Sequence, residues 1–115
     1  MGMPKSVAAV ALMGMMVAAQ QHARAAEERM SRVHANQTET WRVWLPKGEH
    51  RILVHGDHHT DLDLYVYDNT GHLIVFDVGH FDDCVSTLST ARSGYLELRV
   101  RNLGQADNVY ELSVE

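Results

Sequence analysis

Apolar and polar residues alternate with a period of two through most of the chain beyond residue 39, the pattern of strands with one buried and one wet face. The run at 60–68 is the clearest case. Leu62, Leu64 and Val66 fall on one side, while Asp61, Asp63, Tyr65 and Tyr67 fall on the other. The same rule separates Leu96, Leu98, Val100 and Asn102 from Tyr95, Glu97, Arg99 and Arg101, and it separates Tyr110, Leu112 and Val114 from Val109, Glu111, Ser113 and Glu115. Strands are predicted at 40–45, 50–56, 61–68, 72–78, 84–90, 94–102 and 108–114. Every connection between them holds the Gly, Pro, Asn or Asp that turns need. Around Leu53 the parity stays open, because Ile52 and Val54 alternate against it. Short, evenly spaced strands with no helical period predict an all-β fold, an antiparallel β-sandwich of about seven to eight strands.

The first 25 residues follow a different pattern. Lys5 precedes an uncharged run from Val7 to Ala19, and Ala23-Arg24-Ala25 has the small-x-small form of a cleavage site. This layout predicts a signal peptide helix over 1–25, cleaved after Ala25. The apolar run falls short of the ~20 residues that a spanning helix needs. Residues 26–38 are polar and mixed in charge, with Met30 and Val33 the larger apolar side chains, and are read as a linker or a loosely helical lead-in. The sandwich is assigned to 39–115, and the location to the periplasm or the cell exterior.

Charge narrows the partners. The whole sequence carries a formal charge of −5, and Lys5 and Arg24 lie in the predicted leader, so the mature chain is more acidic still. Nucleic acid and anionic membranes reward clustered Lys and Arg, and neither is expected as a partner. Cys84 is the one cysteine, which excludes an internal disulfide and predicts a small buried residue. A domain of this size without a staple has a thin stability margin, which a bound ion would widen.

Trp41-Arg42-Val43-Trp44-Leu45, the turn Pro46-Lys47-Gly48, the strand Asp61-Leu62-Asp63-Leu64-Tyr65-Val66-Tyr67-Asp68, the late strand Ser93-Gly94-Tyr95-Leu96-Glu97-Leu98-Arg99-Val100 and the closing Tyr110-Glu111-Leu112-Ser113-Val114 occur in that order. Together they resemble the bacterial pre-peptidase C-terminal domain, a jelly-roll-like β-sandwich. The resemblance implies an accessory, non-catalytic domain of the kind found beside secreted proteases, with a protein or extracellular polymer as partner. Related collagen-binding domains bind calcium through acidic residues ahead of the first strand; here that segment offers Asn36 and Glu39.

Two metal sites are conceivable from the residues. Calcium takes six to eight oxygen ligands, and Asp61, Asp63, Asp77, Asp82 and Asp83 would supply carboxylates if the turn after Asp77 folds over the strand. The structural alternative is that these aspartates bond loop amides or face water. His55, His58 and His59 form the densest imidazole cluster and suggest zinc or copper, although adjacent His58 and His59 rarely reach one ion. A hydrolase is the rival class, with Asp61 and Asp63 as an acid–base pair, or Ser86 or Ser89 with His80 and Asp82 as a triad. No nucleophile elbow supports it.

Trp41 and Trp44 stand three apart and so face opposite sides, one in the core and one available to stack on sugar or peptide. Arg99 and Arg101 share a face with Tyr95 and suit an acidic partner, unless Glu97 or Glu111 pairs with them. The sequence thus predicts an exported, monomeric binding module. An exported transition-metal protein is the alternative and a small hydrolase the third reading.

Overall fold

The alternation closes into two sheets packed face to face. The computed structural model describes residues 21–24 and 27–115, in nine strands: β1 (Gln21–Arg24), β2 (Glu27–Val33), β3 (Thr38–Leu45), β4 (Gly48–His55), β5 (Leu62–Tyr67), β6 (Leu73–Asp77), β7 (Asp83–Thr90), β8 (Gly94–Asn102) and β9 (Asn108–Val114). Sheet A has the order β1-β3-β8-β5-β6, and sheet B the order β2-β9-β4-β7. All pairings are antiparallel except that of β1 with β3.

Each predicted strand has a counterpart, and the inner faces meet as the periodicity requires. Leu62, Leu64, Val66, Leu96, Leu98 and Val100 of sheet A are buried against Ile52, Val54, Tyr110, Leu112 and Val114 of sheet B. The open parity of β4 resolves toward Ile52 and Val54, with Leu53 half-buried on the outer face. Full burial of such side chains stabilises by about 1.5–3 kcal/mol each, which offsets chain entropy without a disulfide.

Two differences lie at the N-terminus. The segment read as a linker is strand β2, paired along its length with β9. It looked structureless because it is an edge strand whose inner positions include Ser31 beside Val33, leaving little hydrophobic alternation. Residues 1–20, 25 and 26, most of the predicted signal segment, lie outside the described residues. Gln21–Arg24 inside that segment forms β1, and Ala23 is buried.

A polar chain ties the sheets together inside the core. The Trp41 indole N–H donates to Tyr110 Oη at 2.8 Å, the Tyr110 hydroxyl donates to Glu39 Oε1 at 2.5 Å, and the Ser31 hydroxyl donates to the same oxygen at 2.8 Å. Burial, with the adjoining Glu39 carboxylate, pushes the Tyr110 hydroxyl far above its ordinary pKa. This network explains why Trp41 is the buried tryptophan and leaves Trp44 on the surface.

Candidate functional site

The outer face of sheet A carries the chemistry that is not consumed by the fold. Register sets it out in rows. Trp44 lies opposite Tyr95; Arg42, Glu97 and Tyr67 form the next row; Thr40, Arg99, Tyr65 and Phe76 form the one beyond. Trp44, Tyr95 and Phe76 are each 42% exposed or more. The Arg42 guanidinium lies 3.9 Å from the Tyr95 ring centre and that of Arg99 lies 4.3 Å from Tyr67, both within cation–π range. Tyr65 stacks on Phe76 with ring centres 6.5 Å apart. Arg99 Nε donates to Glu97 Oε2 at 2.6 Å, the pairing anticipated from sequence, whereas Arg42 has no carboxylate partner among the described residues.

Two contiguous cavities run along this face. One, of about 300 Å³, is lined by Arg42, Tyr67, Asn69, Tyr95, Glu97 and Arg99 among others. The second, of about 360 Å³, lies between Thr38, Thr40, Tyr65 and Arg101 and shares Tyr67 and Arg99 with the first. The rim between β5 and β6 is the turn after Asp68. There Asp68 Oδ1 accepts from the Thr70 hydroxyl, the Thr70 amide and the His72 amide. Those bonds, led by the Thr70 hydroxyl, hold the Asp68 carboxyl at about 2. Gly71 takes a φ of 91° there, open to glycine at little cost.

The aspartates expected to gather around calcium are separated by their hydrogen bonds. Asp82 is buried and turns to the loop after β4, accepting from the His58 amide and from Asn108 Nδ2 at 3.2 Å. Its burial works against ionisation, but bonds from Asn108 and His58 hold its pKa below the ordinary value. A Cβ at Gly56 would collide with this carboxylate. Asp83 pairs with His55 Nδ1 at 2.6 Å. Asp77 accepts from the amides of Val85 at 2.9 Å and Gly79 at 3.2 Å. Asp61 and Asp63 alone keep buried, unpartnered oxygens. Burial raises the pKa of Asp63; a hydrogen bond from Tyr65 opposes that rise, and the charges of Asp61 and Asp77 add to it. Among the described residues no three or more His, Cys, Asp or Glu side chains come together to hold a metal ion.

Of the three clustered histidines, His55 and His58 are brought together, their rings edge to face with centres 5.6 Å apart. His55, His58 and His59 each present Nδ1 to a different carboxylate, that of Asp83, Asp82 and Asp57. Asp57 itself accepts from the amides of Val109 and His59, which fixes the loop to β9. The serine triad does not assemble. Ser86 is buried with its hydroxyl unpartnered, Ser89 faces outward, and Asp82 is engaged by His58 and Asn108. Cys84 is buried and donates to the Leu62 carbonyl at 3.2 Å; burial, and then the charges of Asp77, Asp63, Asp61 and Asp82, push its thiol up to about 12.

Sequence reasoning grouped Tyr95, Arg99 and Arg101 and left open which of Trp41 and Trp44 is exposed; it did not bring Arg42 and Tyr67 to that face, because their place depends on which strands flank β8. It also missed Asn102 and Asn108. Asn102 Nδ2 donates to the carbonyls of Val33 and Ala106, and Asn108 Nδ2 to the carbonyl of Thr60.

No protein-family model matches the sequence, and no curated protein matches it. Solved structures do. The pre-peptidase C-terminal domain of a Bacillus anthracis collagenase superposes with a TM-score of 0.66 at 13% identity, covering 84% of this chain and 94% of that one. The β-sandwich is similar in fold to that domain. CorA, a surface-associated copper-binding protein of Methylomicrobium album BG8, superposes at 0.58 with 9% identity over 84% of this chain and 98% of its own. A periplasmic inhibitor of g-type lysozyme from Aeromonas hydrophila gives 0.56 at 11%, over 84% and 100%. Such identities establish shared architecture, on which unrelated sites are carried.

Proposed function

We propose that this chain is an exported, non-catalytic binding domain whose outer sheet A face recognises an extended extracellular polymer. One observation carries the reading: exposed rings and arginines are held in register over two contiguous cavities on a rigid sheet. Aromatic residues and arginine dominate recognition surfaces because they bring large contact area and directed polarity at low entropic cost. Solved proteins that share the fold include a lysozyme inhibitor and a surface-associated copper-binding protein, which supports a binding role outside the cytoplasm.

Affinity electrophoresis tests this reading. Full-length exported protein is run through gels containing gelatin, peptidoglycan fragments or soluble polysaccharides, beside the variant Tyr67→Ala/Tyr95→Ala. Retardation by one polymer, lost in the variant while its melting temperature is kept, supports the reading. Retardation that the variant retains contradicts it.

A further inference from the structure

We propose that the cavity between Arg42, Tyr67, Tyr95 and Glu97 binds an uncharged sugar unit of a polysaccharide, an inference that rests on the binding role given to this face.

Charge balance selects a neutral ligand. The cavity holds two guanidiniums, Arg42 and Arg99, and two carboxylates, Glu97 and Asp68. The lining is therefore neutral in sum although the protein is acidic. Charges beyond about 8–10 Å are screened at ordinary ionic strength, so a ligand in the cavity responds mainly to this balanced set. An anionic sugar would lie against Glu97 and Asp68, and a cationic one against the arginines. A sugar hydroxyl both donates and accepts, and here both partners are at hand: guanidinium, Asn69 amide and tyrosine hydroxyl on one side, carboxylate on the other.

The tyrosines are prepared for this use. Each ring is held by a guanidinium, and neither the Tyr67 nor the Tyr95 hydroxyl has a protein hydrogen-bond partner among the described residues. A ring fixed in place stacks on the C–H face of a sugar with little further entropy loss. About 300 Å³ lies at the lower end of small-molecule sites and suits a sugar ring with its substituents. The second cavity, sharing Tyr67 and Arg99, gives the next unit of the chain a place, which favours a polymer over a free monosaccharide.

An extended peptide is a poorer fit. Backbone groups of β3, β8 and β5 are spent in the ladders, so the face offers a peptide main chain side-chain partners only. Peptide recognition by sheets instead uses an open edge, where backbone bonds are free.

The test compares retardation of the full-length protein in gels of neutral xylan, β-glucan and mannan, of anionic polygalacturonate and heparin, and of gelatin. We expect a neutral polysaccharide to retard it, with affinity changing less than about twofold between 0.05 and 0.5 M salt, because no counterions are released. Glu97→Gln should weaken that binding at least about fivefold by removing a hydroxyl acceptor, and Tyr95→Ala at least about tenfold, with melting temperatures unchanged. Retardation only by the anionic polymers, collapsing with salt, overturns the inference, as does retardation by gelatin alone. In both those cases loss of binding in Tyr95→Ala leaves the binding role of the face standing. Retardation insensitive to Tyr95→Ala removes that role as well.

Discussion

The two outer faces of this sandwich are built on the same strand geometry and differ in what they carry. Sheet A presents Trp44, Tyr95, Tyr67, Tyr65 and Phe76 with Arg42 and Arg99 among them. Sheet B presents Glu49, Arg51, Thr87 and Ser89, and between them lies the larger cavity, about 520 Å³. Its two basic side chains are already engaged. Arg51 binds Glu115 at 2.7 Å, and His50 binds the carbonyls of Glu115 and Pro46. Size alone thus does not make a recognition site. Serine and threonine keep a sheet face wet and quiet, whereas the exposed Tyr95 and half-buried Tyr67, with hydroxyls unpartnered in the protein, leave binding capacity unspent.

The sharpest way to break this contrast is to empty each face in turn. Tyr67→Ala/Tyr95→Ala should abolish polymer retardation, a loss of at least about tenfold, while Thr87→Ala/Ser89→Ala should leave it unchanged. Next in size is the core that both faces share. Tyr110→Phe strands the Trp41 N–H and takes one of two donors from Glu39 Oε1, and should cost about 1–3 kcal/mol in denaturant titration without altering polymer binding per folded molecule.

The buried aspartates give a contrast of opposite sign. Asp82 has its folded pKa below the ordinary 3.8, so its contribution is present above that value and is lost as pH falls through the folded one. Asp63 has its pKa raised, so its ionisation destabilises the fold as pH rises from 3.8 through the folded value. Asp82→Asn should therefore lower stability at pH 7 by about 1–3 kcal/mol, and Asp63→Asn should raise it. Denaturation curves at pH 3, 5 and 7 would show the first difference shrinking in acid and the second vanishing there. The smallest expected effect is that of calcium. Because Asp77, Asp82 and Asp83 are committed elsewhere, replacing EDTA with calcium should move the melting temperature by less than about 1 °C.

The sequence made the strands legible wherever inner residues were apolar, as in Leu62-Asp63-Leu64 and Leu96-Glu97-Leu98. It concealed β2, where Ser31 takes an inner position and finds its partner in Glu39 across the fold. The recognition face was half visible. Periodicity placed Tyr95 with Arg99, but Arg42 and Tyr67 join them only through the order β3-β8-β5, which no local pattern encodes. The hydrogen-bond partners of the aspartates were hidden for a related reason. Proximity along the chain says nothing of which amide each carboxylate will bind, and here distant strands supply those partners.

The most direct test of the central claim is a chemical-shift map of the ¹⁵N-labelled protein titrated with short xylan, β-glucan and mannan oligomers. The account predicts perturbations confined to Arg42, Trp44, Tyr67, Asn69, Tyr95, Glu97 and Arg99, with the amides around Thr87 and Ser89 unmoved. Perturbations centred on Glu49, Arg51, Thr87 and Ser89 would contradict it.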